Sequence, residues 1–150
     1  MSTNILHSLN DRKVGVTAVG NLAGNGIQIT RPCVDASITV GTESNDVRAI
    51  TIQLKDINGN DINYVETVQI IMYSSAAMTA FATTGGSTGI AIGTDGALLD
   101  VVAKKVFLAT SEADGDIDLT WTDTGTESVA LGVRLPNGRV VISDAFANAL

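Results

Sequence analysis

Residues 50–72, ITIQLKDINGNDINYVETVQIIM, decide how the chain folds. Ile50, Ile52 and Leu54 alternate with Thr51, Gln53 and Lys55, and Val68, Ile70 and Met72 repeat the pattern. A period of two puts successive side chains on opposite faces, so each run predicts a strand with one apolar and one polar face. Between them lies DINGNDIN, residues 56–63, with acidic and amide side chains at alternate positions. A calcium loop of the EF-hand type needs glycine at its sixth position and a glutamate at its twelfth. Those positions hold Asp61 and Thr67, so the segment reads as a turn, with Asn58-Gly59 supplying the positive φ that a tight turn requires.

The same grammar extends outward. Ile38 and Val40 alternate before it; Ile117, Leu119 and Trp121, then Val129, Leu131, Val133 and Leu135, alternate after it. Gly85-Gly86, Asp95-Gly96, Asp114-Gly115 and Asn137-Gly138 mark further turns. In ALLDVVAKKVFLA, residues 97–109, helical spacing competes, but β-branched residues cluster and no cap precedes it, so two short strands are expected. The reading is all-β: an immunoglobulin-like antiparallel β-sandwich over residues 36–150. A jelly roll or a small barrel shows similar alternation and stays open.

Residues 1–35 read differently. Gly15, Gly20, Gly24 and Gly26 interrupt every candidate helix, while VGVTAV and GIQIT alternate weakly. This is expected to be an extended arm that needs a surface to lie on, supplied by its own domain or by a neighbouring subunit, with a disordered tail as the alternative. Val14, Val16, Ile27 and Ile29 are its candidate anchors for contacts with another subunit or a shell. Residues 1–13 carry no apolar run long enough for a signal peptide, so synthesis in the cytoplasm is expected.

Composition narrows the function. Nine basic residues against sixteen acidic give a net charge of −7, and aromatic residues make up 4% of the chain. Both work against nucleic acid, which calls for cations and stacking rings, and the charge also opposes an anionic membrane. Cys33 is the single cysteine, so no internal disulfide and no cysteine-built zinc cage can form. His7 is the single histidine and sits in the arm, which leaves no Ser-His-Asp or Cys-His site to expect. The glycine-rich NLAGNG and ATTGGSTG lack the lysine and following helix of a phosphate loop.

One acidic cluster needs weighing. In ADGDIDLTWTD, residues 113–123, Asp116 and Asp118 share a strand face about 6.6 Å apart, with Asp114 and Asp123 as further members. That separation suits an inverting glycosidase, but catalytic carboxylates face each other across a substrate, whereas neighbours on one strand point the same way. The cluster reads as a solvated surface, with a weak calcium site as the alternative. No catalytic, cofactor or metal residue is therefore assigned.

The path from Ile50 to Met72 resembles the opening of bacterial and phage immunoglobulin-like modules: strand, Asn-Gly turn, strand. DGDIDLTWTDTGTESVALGVRLPNGRVVIS, residues 114–143, resembles their closing part, except that Glu127 stands where many relatives carry an aromatic corner anchor. This resemblance implies a non-enzymatic virion protein, foremost a head decoration or cement protein of a tailed bacteriophage. It would bind the major capsid protein or other virion proteins, act as a homo-oligomer, use no cofactor, and be assembled in the host cytoplasm. A neck or tail component, and an adhesin or carbohydrate-binding module, are the alternatives.

Overall fold

The computed structural model describes residues 32–149, and within them every named element is a strand. These are β1 (Asp35–Val40), β2 (Val47–Lys55), β3 (Thr67–Tyr73), β4 (Gly89–Ile92), β5 (Ala97–Val102), β6 (Val106–Thr110), β7 (Asp116–Thr122), β8 (Ala130–Arg134) and β9 (Val140–Ile142). Val14, Val16, Ile27 and Ile29, with the rest of the arm up to Arg31, lie outside the described residues. β1 opens at Asp35, one residue before the boundary read from the sequence.

Two antiparallel sheets form a sandwich, ordered β1-β2-β7-β4 and β5-β6-β3-β8-β9. The first order matches the A-B-E-D sheet of an immunoglobulin domain, and the second matches a C-F-G sheet widened by two strands. The path departs in two respects: the strand in the D place, β4, precedes the β5–β6 hairpin that widens the other sheet, and in that hairpin the outer strand β5 comes before the inner strand β6. The sheets are separate, so the small barrel is set aside.

Alternation puts one face of each sheet into a shared core. Ile50, Ile52 and Leu54 of β2 meet Ile117, Leu119 and Trp121 of β7 from one side, and Val68, Ile70 and Met72 of β3 meet Phe107, Leu131 and Val133 from the other. All are buried, and each such side chain contributes about 1.5–3 kcal/mol of transfer free energy. The alternation is cleanest where the outer face is wet. On β8 even Gly132 of the outer face is buried, because the Tyr73 ring lies where a Cβ at Gly132 would stand.

DINGNDIN is a turn held from within. Asp56 is buried, and its Oδ1 accepts the N–H groups of Asn58 (2.8 Å) and Asn60 (3.0 Å), while Gly59 turns the chain at a φ of 80°. The far end of the chain is fastened too. Arg48 donates to the carbonyls of Gly41 (2.9 Å) and Ala147 (2.5 Å) and to Asn148 Oδ1 (3.0 Å), and Phe146 pairs with Val129.

Candidate functional site

The five-stranded sheet turns an apolar outer surface to solvent at its β5 edge. Cross-strand register places Leu99 opposite Leu108, and Val102 opposite Val106, which in turn faces Ile71 on β3. Leu99 is 64% exposed, Val102 50% and Leu108 39%, with Val101 exposed at a register shift between Asp100 and Val102. Thr67, Ala97, Leu98, Leu99, Leu108 and Thr110 line a shallow groove of about 220 Å³ there. On the same sheet Tyr73 stacks on Phe81, ring centroids 6.4 Å apart, and Phe81 is 56% exposed. Among the described residues, β5 has a partner strand only on its β6 side. It is thus an edge strand that offers backbone hydrogen-bonding groups beside apolar side chains, the combination that recruits another chain.

The acidic cluster differs in membership from the sequence reading. Carboxylate oxygens of Asp95, Asp116 and Asp118 lie within 4.8 Å of one another, and Asp95 comes from the β4–β5 turn. Asp123 belongs elsewhere: it is buried and accepts the N–H groups of Ser87 (2.9 Å) and Glu127 (3.2 Å). Asp114 lines a neighbouring cleft with Gln53, Asp61, Asn63, Asp95 and Glu112. Asp118 accepts hydroxyl hydrogen bonds from Thr51 (2.9 Å) and Thr94 (2.8 Å), so both its oxygens are already engaged. Asp116 and Asp118 point to the same face of β7, alongside Gln53 and Thr51 of β2.

Asp116 is strained electrostatically. Its Oδ1 is buried without a hydrogen-bond partner, and burial, followed by the charge of Asp118, pushes its carboxyl above the ordinary aspartate range. A raised folded value means that the unfolded chain binds fewer protons, so stability is lost as pH rises from the ordinary range through the raised one. Asp116→Asn is therefore expected to raise the melting temperature at pH 7 by about 1–4 °C, with the gain shrinking in acid. Melting curves at neutral and acidic pH check this; a lower melting temperature at pH 7 would contradict it.

Glu127 also proves to have a part that the sequence did not reveal. In place of an aromatic corner, its carboxylate gathers the donors of the loop between β3 and β4: Thr83 N–H (2.6 Å), Thr84 N–H (3.0 Å), Gly85 N–H (3.0 Å), Gly86 N–H (3.2 Å) and the Thr84 hydroxyl. Burial raises the pKa of this group, but the Thr84 hydroxyl and the loop N–H groups outweigh it and hold the carboxyl below the ordinary glutamate range. A sugar platform would draw on Tyr64, Tyr73 and Trp121, and of these Trp121 is excluded by complete burial.

No family model and no curated protein matches the chain. Among solved structures it is similar to a cohesin module from a family 33 glycoside hydrolase of Clostridium perfringens, at 12% identity and a TM-score of 0.41. That match covers 78% of this chain and 94% of that one. The fold assignment itself stands on the strand order.

Proposed function

We propose that the chain is a non-enzymatic accessory structural protein of an assembled particle, foremost a decoration or cement protein on the head of a tailed bacteriophage. Its partners would be the major capsid protein or other virion proteins. The observation that supports this reading is the apolar outer surface at the β5 edge, carried on a sandwich whose core is complete without it. A cement subunit needs such a surface more than it needs a pocket. Each contact can be modest, because many copies on a symmetric lattice add avidity.

Replacing Leu99 and Leu108 together by lysine tests the reading. Both side chains are exposed, so the melting temperature should change little, with a stability effect of about 0.5 kcal/mol per site. Binding to purified particles, measured by co-sedimentation, should be lost. Undiminished binding would count against the β5 edge as the contact surface. A carbohydrate-binding module is the second reading, favoured by the Tyr73–Phe81 stack, in which Phe81 is exposed; a glycan screen separates the two.

A further inference from the structure

We propose that Ala82–Ser87 is a carboxylate-latched flap over Trp121, released by acid before the sandwich unfolds. The segment is tied to the sheets at both ends and hydrogen-bonded in its middle, with Ala82, Gly85 and Gly86 buried and Thr83, Thr84 and Ser87 exposed. Ala82 is buried and donates to Met72 O (2.9 Å), while Thr88 N–H donates to Thr122 O (3.2 Å) just before β4. Between these points the backbone amides of Thr83, Thr84, Gly85 and Gly86 all converge on Glu127. The next amide, that of Ser87, goes to Asp123. Successive N–H groups aimed at one carboxylate make a concave anion site, here filled by the protein's own side chain.

Beneath the flap lies the indole. Trp121 Nε1 donates to Gly85 O at 3.0 Å, so flap and core share a hydrogen bond. Lys104, at the tip of the β5–β6 hairpin, closes the other side by donating to Ser87 O (2.6 Å) and Gly86 O (3.4 Å). The charged groups around the latch are thus Glu127, Asp123 on the loop after β7, and Lys104.

Protonation undoes this arrangement chemically. An ionised carboxylate only accepts hydrogen bonds; a protonated one turns one oxygen into a donor, and the remaining bonds lose their charge assistance. Because Glu127 titrates below the ordinary range, its contribution is fully present above that range and is lost as pH falls through the lowered folded value. The flap therefore stays shut at neutral pH and opens in acid. The core cluster beneath is built of apolar side chains. Thr83, Thr84 and Ser87 are exposed, and local opening ahead of global unfolding is the behaviour of a loop held mainly by hydrogen bonds at the surface.

Trp121 is the single tryptophan, so its fluorescence reports on the one indole beneath the flap, and far-ultraviolet circular dichroism shows whether the sheets are still intact when it changes. In an acid titration of the full chain, the emission should shift to the red, with a severalfold gain in acrylamide quenching, at a pH where the dichroism is still native. Glu127→Gln should show the open signal already at pH 7, with native dichroism, and should lack the acid step. Thr84→Ala removes one donor and should move the step to higher pH, which keeps the test open if Glu127→Gln does not fold. An acid step that coincides with loss of the sheets, or that stays unchanged in Thr84→Ala, would overturn the proposal.

Discussion

Trp121→Ala should lower the free energy of unfolding by about 4 kcal/mol, the cost of truncating a fully buried large aromatic. The side chain is entirely inaccessible at the end of β7, with Phe146 meeting it edge to face at a centroid distance of 5.1 Å and an interplanar angle of 84°. Removing it leaves a cavity between the two sheets, ends the aromatic contact, and strips Gly85 O of its donor. Since a domain of this kind has about 5–15 kcal/mol in all, the substitution should come close to unfolding it. Denaturant unfolding followed by circular dichroism checks the value. A loss under about 1 kcal/mol would mean that the core is not organised around this ring.

The second large effect concerns the glycine beside it. Gly86 has a φ of 98°, and a Cβ there would stand 2.7 Å from both Thr122 O and Trp121 Nε1. Conformation and space both forbid a side chain, so Gly86→Ala should cost about 2–4 kcal/mol. Gly138, in the β8–β9 turn, is the control. Its φ of 85° is as unfavourable for alanine, but nothing lies within 4 Å of the added carbon. Gly138→Ala should therefore cost only about 1–2 kcal/mol, the price of the left-handed backbone alone. Equal losses at the two sites would show that contact with the Trp121 indole contributes nothing.

The fold was legible wherever a strand has one wet face. Ile50, Ile52 and Leu54, and Ile117, Leu119 and Trp121, were read as inward from their polar neighbours, and all six are buried. The glycine turns were legible because a positive φ has a residue signature: Gly59, Gly85, Gly86, Gly96, Gly115 and Gly138 all adopt it. The two strands in ALLDVVAKKVFLA followed from β-branched clustering.

Other features have no local signal. ALLDVV lacks alternation, and such a run ordinarily marks a strand buried on both faces. Here it forms an edge, and Leu99, Val101 and Val102 are left exposed. Glu127 finds its donors some forty positions earlier in the chain, through a loop that crosses between sheets, so no spacing rule could pair them. Asp95 joins Asp116 and Asp118 because Asp118 N–H donates to Asp95 O and brings the β4–β5 turn alongside β7. Asp123 leaves that group because it lies beyond the end of β7, where its carboxylate serves Ser87 and Glu127 instead. The placing of β4 ahead of the β5–β6 hairpin is likewise a matter of long-range pairing that strand patterns do not encode.

The central claim is that the chain works as a structural subunit docked through the outer face at the β5 edge. Hydroxyl-radical footprinting of the free chain against the chain in purified virus particles, read residue by residue by mass spectrometry, tests it most directly. The chain should be present in many copies, with Leu99, Val102 and Leu108 labelled in the free form and protected in the particle. Absence from the particles, or equal labelling of these residues in both states, would contradict it.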